Sequence, residues 1–400
     1  MRVGSPHPYP FGGGYGNCPG LDVHPHYAWL RENDPVARIR TPEGEEPLLV
    51  TRYRDVCRVL ARPSVFSREA ATTAADGLRD QRFLTDIEGA AHAAQRALIQ
   101  PFFTRARAEA LRARIAFIAG EFVAGMASLG EPADLVRDLA VPLPVAVICE
   151  ILDIPADERT RFGDWAAAML SPRPGASDAE RASVAAAMDE LGRYMAGKLA
   201  ERAAEPGPDL LSALAVGAGP VPAEDRVTLA AAMLIAGFET TTNMIGNMVH
   251  TLLRFHPGLW DALVRDPGLV PTAVDELLRW IPSDARDGMA RGATADTSIG
   301  GVTVAAGTSV LVARGAANRD PDRFPDPERL DLARTPNPHL TFGHGPHRCP
   351  GEHLARVELE AALWALTERF PRLRPADPDA APRWKRSTMP GLAELPVRWS

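Results

Sequence analysis

Ten consecutive residues carry the densest chemistry in the chain: Phe342-Gly343-His344-Gly345-Pro346-His347-Arg348-Cys349-Pro350-Gly351. A cysteine that just precedes a helix meets the helix's N-terminal amides and positive dipole end, both of which favour a thiolate. The sequence after Gly351 predicts such a helix. Glycines on either side allow tight turns and let the backbone approach a flat ligand closely. Two other readings use the same residues. Cys349 could be a buried structural cysteine in a glycine-rich turn. His344, His347 and Cys349 could instead be zinc ligands, but no nearby Cys or His supplies a fourth at a typical spacing.

A second group is Ala236-Gly237-Phe238-Glu239-Thr240-Thr241, in the middle of a long helical stretch. Glycine and a threonine run are poor choices for a helix interior. A threonine hydroxyl there tends to bond back to the carbonyl one turn earlier and bend the helix. Beside a bound plane, that bend would open a small pocket; otherwise this is an ordinary kinked core helix. A hydroxyl and a carboxylate together can pass protons. Glu276-Leu277-Leu278-Arg279 places a carboxylate and a guanidinium three apart on one helix face, where they can pair. His92 and Arg96 share a face at four-residue spacing and suit a carboxylate ligand, or simply solvent.

Taken together, in this order, these motifs resemble the cytochrome P450 family. Its cysteine loop reads Phe-x-x-Gly-x-x-x-Cys-x-Gly, which residues 342–351 match. Ala316-Ala317-Asn318-Arg319-Asp320-Pro321 and Phe324-Pro325-Asp326-Pro327 match as well, and the resemblance runs from about Pro35 to Phe370. Departures are Pro350 where many soluble members have leucine, Leu330 for a frequent phenylalanine, Ala94 where an arginine is common, and Glu88-Gly89-Ala90-Ala91 in place of an acidic, proline-rich lead-in.

The resemblance implies a mainly α fold with small β-sheets: a triangular α-rich body with a long central helix. It implies haem b (iron protoporphyrin IX), with Cys349 as the axial ligand to iron, Phe342 covering the sulfur side, and Gly343 and Gly351 shaping the loop. His92, Arg96, Arg291 and His347 would hold the haem propionates. Thr240 would hold dioxygen and its water, and Glu239 would relay protons. Glu276 and Arg279 would be structural, with Arg323 or Arg329 as the third partner. The implied reaction inserts one atom of dioxygen into a small organic substrate by hydroxylation or epoxidation, or uses the same oxidant for coupling. A role in natural-product biosynthesis is expected.

Substrate contacts are expected from Phe238, Arg286 and Met289. Asp284, Arg286 and Asp287 put three charges in that last stretch; one would meet a polar substrate group, as in an amino-acid-derived compound, unless all face solvent. The chain has no flavin or iron–sulfur motif, so electrons should come from a ferredoxin and its reductase. Arg96, Arg105, Arg107, Arg348 and Arg356 are candidates for the docking patch, by charge complementarity.

The elements that must position these residues are legible from breakers and periodicity. Pro25–Asn33 and Asp55–Ala61 read as short helices, Ala37–Arg40 and Pro47–Thr51 as strands joined by a turn at Pro42–Gly44, and Ser67–Gly89 as a long loop. From Ala90 to about Leu278 the chain is mainly helical. Ala223–His256 has no proline and ends at Pro257, so it predicts one helix about 50 Å long. Thr297–Leu311 reads as strands with turns at Gly300-Gly301 and Ala306-Gly307, and Glu352–Phe370 as a final helix. One domain is expected over residues 1–400, with residues 1–20 irregular.

The 400 residues carry a formal charge of −7, which disfavours nucleic-acid binding. Cys18, Cys57, Cys149 and Cys349 form neither a disulfide framework nor a zinc ribbon, and a reducing cytoplasm is the simplest reading. The glycine- and proline-rich start lacks an apolar signal region. No apolar run approaches the ~20 residues needed to span a bilayer, since Leu139–Leu152 is broken by Pro142, Pro144 and Glu150. A monomer with no membrane contact is expected.

Overall fold

The computed structural model describes residues 6–9, 21–42, 44–71, 83–159, 161–162, 165, 177–217, 219–283, 289–385 and 389–400. Among the described residues helix predominates, with three sheets of six, three and two short strands. Two compact units emerge: residues 1–90 with 275–349, and residues 91–274 with 350–400.

The first unit is built on a mixed sheet in the order His7–Pro8, Val36–Arg40, Leu48–Val50, Ser309–Val312, Arg291–Ala293, Phe66–Ser67. Val36 pairs with Val50 in antiparallel register, and Leu48 with Val310 in parallel register. Side chains on a strand alternate between faces, and the core follows that period. Val36, Leu48, Val50, Val310 and Val312 pack on one face with Val56, Val59 and Leu60 of the helix Tyr53–Leu60. Ala37, Ile39, Leu49 and Leu311 pack on the other with Leu30 of the helix His26–Asn33. The segment expected to be irregular contributes a strand, since His7–Pro8 pairs with Ile39–Arg40. Proline lacks a donor, and an outermost strand tolerates that. A two-stranded sheet, Thr297–Ile299 with Val302–Val304, turns at Gly300-Gly301, where both φ angles are positive (55° and 83°).

In the same unit Glu276 and Arg279 are fully buried and paired, Nε to Oε2 at 2.7 Å and Nη2 to Oε1 at 2.8 Å. The third partner is Arg334, not the expected Arg323 or Arg329. Arg323 lies over the Tyr53 ring and the Arg329 side chain pairs with Asp331. What Arg329 contributes is its carbonyl, which accepts from both Arg279 and Arg334.

The second unit is mainly helical, with a three-stranded sheet of Arg374–Pro375, Pro396–Arg398 and Ala133–Asp134. Ala223–Phe255 is one continuous helix of 33 residues, stopping where Pro257 begins the next. Every residue from Thr241 to Leu253 is buried, so packing surrounds this half of the helix. Pro142–Leu152 packs against it, and Glu352–Arg369 packs along Arg105–Leu129. Pro142 and Pro144 do not prevent a helix over Pro142–Leu152, because both sit in the first turn, where backbone N–H groups have no intrahelical acceptor. Gly130–Pro132, Pro155 and Gly217–Pro222 fall between elements, and Pro101 lies in the short turn Gln100–Phe103 that separates the helices Gly89–Ile99 and Arg105–Leu129. Among the described residues, no helix is long and apolar enough to cross a membrane.

Candidate functional site

The cysteine loop from Phe342 to Cys349 belongs to the first unit. Two positive φ angles, 76° at Gly343 and 75° at Gly345, fold it back so that the Cys349 N–H donates to the Phe342 carbonyl at 2.8 Å. The two glycines serve different ends. Gly343 supplies a conformation that side chains resist. At Gly345 a Cβ would also sit 2.6 Å from the Leu60 carbonyl oxygen, so this glycine answers to the end of the helix Tyr53–Leu60 rather than to a ligand. Cys349 is half-buried, and the Phe342 ring lies 5.7 Å from that of His339. Gly351 is the residue before the helix Glu352–Arg369, so the cysteine precedes a helix start as expected. Among the described residues, no three His, Cys, Asp or Glu side chains are grouped to hold a metal ion, so His344, His347 and Cys349 do not converge as the zinc reading requires.

Around Arg291 and His347 the same unit gathers charge that the sequence did not signal. His347 Nε2 lies 2.8 Å from Glu88 Oε2, and Glu88 Oε1 accepts from the Arg68 N–H at 2.8 Å. The Arg68 guanidinium donates to Thr85 O at 3.1 Å, to Asp86 Oδ1 at 2.7 Å and to the Ala290 carbonyl. Burial works against ionisation of Glu88. The hydrogen bonds from His347 and Arg68, with the His347 and Arg291 charges, outweigh it and hold the carboxyl below its usual range.

Arg291 begins the strand Arg291–Ala293. Gly292 follows because a Cβ there would collide with the Ala70 carbonyl. The Arg291 side chain is buried, and its Nε and Nη1 find no acceptor among the described residues. Burial, helped by Arg68 and Arg314 and opposed by Glu88, pushes it down to about 10. A buried guanidinium with unanswered donors is costly. An anionic carboxylate is the ligand that would answer it, so the residues present fit a haem propionate.

In the second unit, His92 and Arg96 lie on the helix Gly89–Ile99. His92 is buried, and half-buried Arg96 donates from Nε to Gln100 Oε1 at 2.7 Å. On the long helix, Thr240 Oγ1 donates to the Ala236 carbonyl at 2.9 Å, the back-bond expected of it. Gly237 has a packing reason: a Cβ would come within 3.3 Å of Ile148 on Pro142–Leu152. Phe238 is buried, Glu239 half-buried and Thr240 exposed.

Met289 is exposed, and Arg286 lies outside the described residues. Of the docking candidates, Arg105, Arg107 and Arg348 are exposed, whereas Arg356 donates to Glu352 Oε2 at 3.1 Å on its own helix. Sequence reasoning missed Arg68 and the role of Glu88. Their partners lie from 17 to 259 residues away in the chain, and no local pattern announces them.

The family model described as Cytochrome P450 matches residues 268–392. The mycinamicin IV hydroxylase/epoxidase of Micromonospora griseorubida is 40% identical over 408 residues, covering 100% of both chains. The nocardicin C N-oxygenase of Nocardia uniformis subsp. tsuyamanensis is 39% identical, covering 98% of each. Among solved structures, a mutant of the mixed-function P450 MycG in complex with mycinamicin V superposes with a TM-score of 0.89 at 40% identity, over 99% of this chain and 100% of that one. The LnmA cytochrome P450 hydroxylase of the leinamycin pathway of Streptomyces atroolivaceus gives 0.89 at 38%, over 98% and 100%.

Proposed function

The chain belongs to the cytochrome P450 family, and from that premise we propose how its residues divide the work. It is a haem-dependent monooxygenase that uses dioxygen to oxidise a small organic molecule of natural-product biosynthesis. Its relatives act as a hydroxylase/epoxidase on mycinamicin IV and as an N-oxygenase on nocardicin C. We treat residues 1–400 as one catalytic domain, because these relatives match along its length.

The bound group is haem b, and with a thiolate ligand it supplies electron density that favours O–O cleavage. Cys349 provides that thiolate from a half-buried loop whose fold Gly343 permits through its positive φ, and Gly351 leads from it into the helix Glu352–Arg369. Phe342 keeps water from the sulfur. Arg291 carries the assignment: its buried, unanswered donors call for an anion, and a haem propionate is that anion. His347 flanks it, steadied by Glu88. His92 and Arg96 hold the second carboxylate.

Insertion of one oxygen atom leaves the other to depart as water, which takes two electrons and two protons. Thr240 gives its own proton to the Ala236 carbonyl, so its oxygen presents lone pairs that accept from water. Glu239, the preceding residue, passes protons inward. Phe238 and Met289 contact substrate. Electrons come from a reductase through a ferredoxin; exposed Arg105 and Arg107 of the second unit, and exposed Arg348 of the first, are the docking candidates by charge complementarity.

The carbon monoxide spectrum of the reduced protein tests the thiolate. The red-shifted Soret band of thiolate-bound haem is expected, and its loss in Cys349→Ala. Wild-type protein without that band overturns the reading. Thr240→Ala should bind substrate normally yet waste dioxygen; tight coupling of oxygen use to product in that variant removes Thr240 from the proton path.

A further inference from the structure

The polar face of the long helix continues beyond Glu239. Asn243 and Asn247 follow at four-residue steps and therefore share its face. Both are buried, although asparagine is a poor residue for a helix interior and a buried amide needs partners. Both find them in one segment near the end of the chain. Asn243 Oδ1 accepts from Lys385 Nζ at 3.0 Å, and Asn247 Nδ2 donates to the Pro390 carbonyl at 2.9 Å. The Lys385 N–H donates to the Gly391 carbonyl at 2.8 Å, which closes the segment on itself. Gly391 lies so close to the Asn243 amide that any Cβ would collide with it. One turn further along, the His250 ring stands edge-on to Trp384 at 6.1 Å. Successive helix turns thus hold the Lys385 ammonium, the Pro390 carbonyl and the Trp384 ring.

We infer that Lys385 is a positioning residue for proton delivery: held by Asn243, it is the counter-charge of Glu239. The inference rests on the reading of Glu239 as the proton relay. The ammonium is partly buried, and burial works against its charge while Glu239 is the carboxylate that supports it. The support is mutual, since an opposite charge nearby favours the ionised form of each partner. A relay must release a proton as readily as it takes one. A cation fixed one turn along the same face keeps Glu239 in the form that passes each proton on.

The test uses the holoenzyme with substrate and compares wild type, Lys385→Met, Lys385→Arg, Glu239→Gln and the Lys385→Met/Glu239→Gln pair. Product formed per dioxygen consumed should fall about three- to tenfold in Lys385→Met, within the range of a pairwise coupling between neighbours. It should recover in Lys385→Arg and fall no further when Lys385→Met is added to Glu239→Gln. Losses that multiply in the double variant, or an arginine variant no better than methionine, overturn the inference. So does weakened substrate binding in Lys385→Met without change in coupling, which would make Lys385 a substrate contact. A second readout needs no turnover: the infrared carboxylate band assigned through Glu239→Gln should lose intensity in Lys385→Met at fixed pH, and an unchanged band overturns the link. Full coupling in Glu239→Gln is a different failure, that of the relay reading itself.

Discussion

Arg334 places its Nε 3.1 Å from both carboxylate oxygens of Glu276, a residue with no exposed surface. Arg279, Asn337 and the Asp331 N–H complete the shell around the same carboxylate. A buried charge so surrounded costs little while every partner is present, and a great deal when one is removed.

Arg334→Met should therefore destabilise the protein by on the order of 3–5 kcal/mol. Arg329→Ala removes only a solvent-exposed pair with Asp331 and should cost no more than about 1 kcal/mol. Denaturant midpoints of the two variants decide the matter, and equal midpoints would contradict the assignment of Arg334.

Arg291 predicts effects of opposite sign with and without haem. In the apoprotein, Arg291→Met replaces a buried guanidinium whose Nε and Nη1 lack acceptors, so thermal stability should hold or rise. In the holoprotein the same change removes a charged hydrogen bond worth about 1.5–3 kcal/mol. Haem transfer to an acceptor globin should then accelerate roughly tenfold or more. A variant that keeps haem as firmly as wild type would rule out the propionate role.

His250 predicts acid sensitivity. Burial, with Arg254 adding, depresses its pKa from 6.5 to about 4. Above pH ~6.5 both folded and unfolded chains hold it neutral, and the stability is intact. As the pH falls toward 4 the unfolded chain takes a proton that the native state refuses, so stability drops by up to about 3 kcal/mol. His250→Gln should flatten that slope. Urea titrations at pH 7 and pH 5 give the comparison, and an unchanged slope in the variant would be evidence against it.

Glu358 predicts the reverse dependence. It is fully buried in the helix Glu352–Arg369, Oε2 has no partner among the described residues, and burial raises its pKa well above the ordinary value. At low pH both states carry the proton. As the pH rises through the ordinary carboxyl range, the unfolded chain ionises first, and stability falls until the native group follows. Glu358→Gln should remove this decline; if calorimetry across that range finds wild type and variant parallel, Glu358 is not the source.

Much of the scaffold was legible because its causes are local. Pro257 and the proline-free run before it set the long helix. Gly300-Gly301 set a turn through positive φ. Thr240 found the carbonyl one turn back because that acceptor is always within its reach. Less legible were positions where a rule depends on placement within an element. Pro142 and Pro144 interrupt an apolar run in the sequence yet occupy the first turn of a helix, and His7–Pro8 looked irregular but adds an outer strand.

By itself, then, the sequence determined the helices, the turns, the family and the cysteine at a helix start, since spacing along the chain expresses each of these. Only the tertiary structure decided which of several arginines reaches Glu276, that Glu88 steadies His347, and that Lys385 meets Asn243. Those contacts join residues 58, 259 and 142 positions apart. The physical reason is that a charged side chain carries no record of its partner; the pairing is chosen by which groups the fold desolvates together.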